Sequence, residues 1–148
     1  MKQMPDDFTV QTWARLVRAQ QLLLERVEED LKRAGLPPLR WYDVLLELKR
    51  AGPKGLRQYA IGEAVLLNKY NVSRLLDRLE RDGLLERVAC EADGRGAQVR
   101  IKPSGNELLR RMWKVYGAAI TEHYAQYFSK SDLNGLSTLL CKLPGVCR

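Results

Sequence analysis

The stretch 68–83 places the tightest constraint on how this chain folds. Val72, Leu75, Leu76 and Leu79 recur at i, i+3, i+4 and i+7, so an α-helix gathers all four on one face while a strand would scatter them over two. Asn68 stands where an N-cap accepts from the first free amides of such a helix, and Gly83 stands where a left-handed residue ends one. Upstream, Ile61 and Val65, with Leu67 just beyond, mark a shorter helix before a turn at Asn68-Lys69. Downstream, 84–90 and 98–102 read as two strands joined by Glu91-Ala92-Asp93-Gly94-Arg95-Gly96-Ala97, a hairpin whose tip holds Arg95 between two glycines.

Helix, turn, helix and a two-stranded wing is the order of a winged helix-turn-helix, a DNA-binding module. The outward face of the second helix fits that order. With the leucines turned in, Tyr70, Ser73, Arg74, Asp77 and Arg81 lie opposite, with Asn71 and Arg78 on the shoulders. Lys69, Tyr70, Asn71, Ser73 and Arg74 supply donors and acceptors of the kind that meet base edges and phosphates, where a merely solvated face would mix Glu with Lys. Asp77 is the exception: it repels phosphate unless paired, and Arg81 at i+4 is its candidate partner.

These residues also carry a resemblance. Asn71-Val72-Ser73-Arg74-Leu75-Leu76-Asp77-Arg78-Leu79-Glu80 resembles the recognition helix of the MarR family of bacterial transcriptional regulators. So do Gly83-Leu84-Leu85-Glu86-Arg87, Asp93-x-Arg95, Val99-x-Ile101 and Gly105, with weaker matches at Trp41, Val44-Leu45 and from Ser129 to Leu143. Gly62 stands where the family commonly has alanine, at the close crossing of the two helices. Lys102 departs from the pattern, since the family usually places there a threonine that caps the next helix. Ser104-Gly105-Asn106-Glu107 offers a capping box two residues later, which predicts a shifted helix start.

The resemblance implies a homodimer whose N- and C-terminal helices interlock, and the flanking segments have the right pattern for it. Trp13, Leu16, Val17, Leu23, Leu24, Val27 and Leu31 predict a helix over 11–34, ended by Gly35 and Pro37-Pro38. A helix over 39–51 carries Trp41, Val44, Leu45 and Leu48 on one face, and Leu56-Arg57-Gln58 can add a short strand to the wing. A long helix over 104–127 precedes a turn with Ser129-x-x-Asp132 as cap, then a last helix bearing Leu133, Leu136, Leu139, Leu140 and Leu143 up to Pro144-Gly145. The expected organisation is one MarR-like domain over 1–148. Its DNA-binding region covers about 39–102, and dimerisation helices cover about 8–36 and 104–145.

Charge and composition agree without deciding. A net charge of +7 and a pI near 9.5 suit a polyanionic partner, and 45% apolar residues suffice for a core. No apolar run approaches a membrane span and the N-terminus lacks a signal-peptide core, so the expected location is cytoplasmic. Three cysteines without a Cys-x-x-Cys argue against a disulfide framework or a zinc site, and the reading for Cys90, Cys141 and Cys147 is reduced and unreactive. There is no nucleophile–base pair, no phosphate-cradling loop and no metal-ligand cluster, so neither catalytic nor metal residues nor a cofactor is expected. The single histidine, His123, reads as packed or at the solvent edge. Zinc-binding relatives use several His and acidic ligands.

The resulting expectation is a transcriptional regulator of the repressor type, bound to a pseudo-palindromic site in double-stranded DNA. Lys69, Tyr70, Asn71, Ser73, Arg74 and Arg78 would enter the major groove, and Asp93 would orient Arg95 for the minor groove. The resemblance further implies a small aromatic-acid effector. Trp13, Arg40, Trp41, Trp113, Tyr116 and His123 would collect at the seam between dimer helices and DNA-binding module; there the aromatics either simply fill the core or wall a site where a bound acid changes the spacing of the two recognition helices. The alternatives are a redox-responsive regulator or a protein-interaction module of the same fold. Arg74, Arg78 and Arg95 weigh against the latter.

Overall fold

A computed structural model describes residues 1–89 and 97–148, and of Lys69 the backbone alone. The elements are α1 (Asp7–Arg33), α2 (Leu39–Ala51), β1 (Leu56–Arg57), α3 (Gln58–Ala64), α4 (Lys69–Arg81), β2 (Leu85–Ala89), β3 (Ala97–Ile101), α5 (Pro103–His123) and α6 (Lys130–Leu140), with single 3-10 turns at Gly52–Lys54 and Ala125–Tyr127. They form two compact units, one of residues 1–30 with 116–148 and one of residues 31–115. Among the described residues no helix is long and apolar enough to cross a membrane.

The second unit is a winged helix-turn-helix. Its core is Leu45, Leu48, Ile61, Leu76, Leu79, Leu85, Val99 and Met112, all essentially without solvent exposure. Asn68 caps α4 as expected, its side chain accepting from the Asn71 amide at 2.9 Å. Gly83 follows the helix at φ +76, the left-handed geometry that glycine adopts without a Cβ clash. The turn between α3 and α4 is sharper than the pattern implied, with exposed Leu66 held at φ +56. A Cβ on Gly62 would lie 3.1 Å from Val72 Cγ2 and 3.2 Å from the Leu67 carbonyl oxygen, so the two helices do cross closely there. The wing sheet runs β1-β3-β2, all antiparallel, pairing Leu56 with Val99 and Leu85 with Ile101.

In the first unit, α1 begins at Asp7, four residues before the expected start at Gln11, because Asp6 caps it. The Thr9 amide donates to Asp6 Oδ1 at 2.7 Å and holds that carboxyl below its ordinary pKa. The cap at Ser129 is a full capping box: Ser129 Oγ accepts from the Asp132 amide at 3.0 Å, and Asp132 Oδ2 accepts from the Ser129 amide at 2.9 Å. This second bond lowers the Asp132 pKa, so the box stabilises α6 above the ordinary aspartate range and loses that contribution as pH falls through the lowered value.

Three expectations need correction. The helix after the wing does not start late: Pro103 is its first residue, and Ser104 Oγ instead donates to the Gly83 carbonyl. Proline suits the first helical position because its missing amide costs no hydrogen bond there, and the Gly105 and Asn106 amides donate to the Lys102 carbonyl. The helix also stops at His123 and α6 at Leu140, short of Tyr127 and Leu143, each running out into tight turns. Finally, Cys141 and Cys147 are not both free thiols; they form a disulfide with Cα atoms 5.3 Å apart. Spacing alone could not show that the turn at Pro144-Gly145 folds the chain end back onto the helix terminus.

Gly105 has no room for a side chain: a Cβ would fall 2.3 Å from the Leu84 carbonyl oxygen and 2.7 Å from Ile101 Cγ1. Both neighbours belong to the base of the wing. Gly105→Ala is therefore expected to lower stability by about 1–3 kcal/mol, as overpacking does. Thermal unfolding measures it, and an unchanged midpoint would show that α5 can move away from the wing at no cost.

Candidate nucleic-acid interface

Helix α4 is anchored by Val72, Leu76 and Leu79, each at most 1% exposed. Leu75 is only half-buried and sits on the flank, which corrects the four-residue stripe to three anchors and one wall. The opposite side presents Tyr70, Asn71, Arg74, Asp77 and Arg78 to solvent, while Ser73 is half-buried. Arg74 lies over the Tyr70 ring, 5.4 Å from its centroid, and its Nη1 is 3.5 Å from the Tyr70 hydroxyl. One turn on, the Arg78 guanidinium lies 5.8 Å from the Trp41 ring centroid and its Nε is 3.5 Å from Asp82. Both arginines are thus extended against aromatic faces, which limits the side-chain freedom lost on meeting a ligand. Asp93, Arg95 and Cys90 lie outside the described residues, as does the Lys69 side chain.

The partner of Asp77 is not Arg81. Arg87 on β2 reaches back across the wing and places Nη1 2.8 Å from Asp77 Oδ1 and 3.1 Å from Glu80 Oε1. Periodicity within α4 could not find this pair, because it joins residues ten positions apart in different elements.

Of the six residues expected around an effector, the structure brings two to one cleft. Arg40 and Trp41 line it together with Pro38, Leu67, Asn71, Arg74 and Leu75, around a volume of about 400 Å³. All seven lie within the DNA-binding unit. Trp113 stacks on Tyr42 instead, with centroids 6.3 Å apart and rings 22° from parallel, and burial raises the Tyr42 hydroxyl pKa. Trp13 is exposed on α1, Tyr116 is half-buried on α5, and His123 Nε2 lies 2.8 Å from Asp30 Oδ2. Glu122 joins that pair, and the three donor atoms lie within 4.8 Å of one another. The sequence pattern gave no hint of this group, because Asp30 is far from the other two in the chain. Its geometry is that of a half-buried imidazole–carboxylate hydrogen bond with an exposed carboxylate beside it. Asn71 and Arg74 were assigned to DNA only, and their place on the cleft wall comes from the approach of α2 to α4.

A capped, cation-bearing helix after a tight turn, backed by a three-stranded antiparallel wing, defines a winged helix-turn-helix DNA-binding protein. Residues 34–96 match the MarR family. The chain is 32% identical to the HTH-type transcriptional regulator YkoM of Bacillus subtilis (strain 168) over 125 residues, which covers 84% of this chain and 79% of YkoM. The chain belongs to the MarR family of transcriptional regulators. Its fold superposes on Sco3205 of Streptomyces coelicolor, a MarR family regulator solved in complex with DNA, with a TM-score of 0.86 at 21% identity, covering 96% of this chain and 89% of Sco3205. It also superposes on Bordetella bronchiseptica BpsR, whose DNA binding is regulated by 6-hydroxynicotinic acid, with a TM-score of 0.77 at 20% identity, covering 89% and 97%.

The Asn68 cap orients the first turn of α4, where Tyr70 and Asn71 sit. Asn68→Ala is expected to destabilise the fold by about 1 kcal/mol and to reduce DNA binding without changing which sequence is preferred. Denaturant unfolding and mobility shift check the two effects separately, and a changed sequence preference would place Asn68 itself among the reading residues.

Proposed function

We propose that this protein is a homodimeric repressor, acting in the cytoplasm, that reads a pseudo-palindromic operator and is released by a small aromatic acid. The observation that carries the DNA half is the solvent-facing set on α4, where Arg74 and Arg78 stand extended beside Tyr70 and Asn71 on a firmly buried helix. Asn71, Ser73 and Arg74 take base or mixed contacts; Lys69, Tyr70 and Arg78 take phosphates; Asp93 and Arg95 of the wing serve the minor groove. Support for a dimer comes from the first unit, where Phe8, Trp13, Leu16, Leu24, Leu139 and Leu143 are all at least 40% exposed. So broad an apolar surface on dimerisation-type helices calls for a second copy.

Selection from a random duplex pool tests the reading. The expected product is a near-palindrome with half-sites about 10 bp apart. Arg74→Ala should flatten preference at one position of each half-site, a loss of about 1–3 kcal/mol in discrimination. Uniform weakening on all sequences would make Arg74 a phosphate anchor, and failure to enrich any sequence would end the operator reading.

The effector reading rests on the Arg40–Trp41 cleft. Trp41 and Leu75 provide apolar walls, and two guanidiniums, Arg40 and Arg74, flank a space of the size a single-ring acid needs. BpsR, with its 6-hydroxynicotinic acid, supports the ligand class. Titration with salicylate-like acids should quench tryptophan fluorescence and release DNA, and Arg40→Ala should abolish the release while leaving DNA binding intact. A broad panel without quenching or release overturns it.

A second reading, redox control, is favoured by the Cys141–Cys147 disulfide. Hydrogen peroxide would take two electrons and two protons from the two thiols and leave as two waters while the S–S bond forms. Equal operator affinity of the reduced and peroxide-treated protein would exclude it.

A further inference from the structure

The recognition helix carries two carboxylates, Asp77 and Glu80, among four cations at Lys69, Arg74, Arg78 and Arg81. Exposed carboxylates on a face that meets phosphate reduce affinity, so this helix has a charge problem that the fold must resolve. One side chain resolves both. Arg87 is mostly covered, with 23% of its side chain exposed, while Asp77 and Glu80 are 54% and 41% exposed. Its Nη1 donates to Asp77 Oδ1 at 2.8 Å and to Glu80 Oε1 at 3.1 Å, and its main-chain amide donates to Glu80 Oε2 at 3.1 Å. Glu80 therefore holds both the side chain and the backbone of the same residue, a two-point attachment of strand β2 to helix α4. Arg87 pairs with Val99 at the middle of the β2–β3 ladder, so the attachment acts on the body of the wing and not on its tip.

We propose that Arg87 is the positioning residue of the DNA-binding surface: without touching DNA, it masks Asp77 and Glu80 from the phosphates and fixes the wing against the recognition helix. The proposal rests on the reading that α4 meets DNA, and it adds a residue that none of the expected contacts includes. The covered guanidinium is committed to two carboxylates and is not an additional phosphate contact. Its role is to set the field in which Arg74 and Arg78 act.

The test uses the full-length protein and a random-sequence duplex, with affinity measured over a range of salt concentrations and folding checked by circular dichroism and thermal unfolding. Arg87→Gln removes the charge and leaves a shorter, still polar side chain. It should weaken binding about tenfold at low salt, the scale of two newly unmasked charges near a phosphate chain, and the deficit should shrink as salt rises. Arg87→Lys, which restores the charge, should recover most of the affinity. Neutralising the pair in the same background, as Arg87→Gln with Asp77→Asn and Glu80→Gln, should recover most of the lost affinity, since no carboxylate remains to mask; the remainder reports the lost attachment of the wing. A folded triple variant that binds as weakly as Arg87→Gln would overturn masking, because a purely structural clamp is not rescued by removing its partners. Unchanged affinity of Arg87→Gln would overturn the positioning role while leaving α4 as the DNA helix. A wild-type protein that shifts no duplex at any salt would instead remove the DNA-binding reading, and the proposal with it.

Discussion

The close crossing of α3 and α4 at Gly62 is the constraint on which the rest of the DNA-binding unit depends. Val72 packs where a larger residue at 62 would stand, and its own burial fixes the rotation of α4 about its axis. Once Val72, Leu76 and Leu79 are turned inward, helical geometry leaves Tyr70, Arg74, Asp77 and Arg78 no direction but outward. The chemistry of the exposed face thus follows from a steric condition on the hidden one. Isoelectric point and net charge have little part in it, because a differently rotated helix with the same composition would present leucine to the solvent.

Two kinds of interaction then refine that face. Aromatic rings at Tyr70 and Trp41 hold the arginines extended, while the acidic residues are drawn toward the wing by Arg87. Cations and anions that share one exposed face are in this way given different partners. Trp41 belongs to both the arginine-holding set and the cleft, so one ring is shared between them. Were a molecule bound there to change DNA binding through that ring, DNA would change its binding by the same free energy.

How far the sequence was legible depended on whether an interaction was local. The Asn68 cap, the Gly83 terminus and the Ser129–Asp132 box are all set within a few residues, and their residue types were sufficient signals; the strand at Leu56-Arg57 was legible too, although its partner Val99 lies far along the chain. Helix ends were less legible, since Asp6 captured the start of α1 earlier than its apolar stripe begins and α5 starts at Pro103, ahead of the Ser104 cap. The contacts that mattered most for the site were hidden. Arg87 with Asp77, Trp41 with Arg78, and His123 with Asp30 each join elements whose meeting depends on the tertiary path, and the Cys141–Cys147 bond depends on a turn at the chain end. The proposed effector residues show the same limit: six aromatic and charged side chains shared a family pattern, while the cleft that formed drew on Leu67, Asn71 and Arg74 instead.

The connection between β1 and α3 has a mechanical consequence. Strand β1 ends at Arg57 and α3 begins at Gln58, with no linker residue between them, while β1 itself is hydrogen-bonded to the central strand of the wing. A tilt of the wing therefore pulls on the first helix of the helix-turn-helix through a rigid joint. Through that joint the wing and the helix-turn-helix are held at one angle, comparable to two prongs cut from one plate. Were both to enter adjoining grooves of DNA, a site out of phase with that angle would itself have to bend or twist to be held, and the stiffness of the duplex would become part of what is recognised.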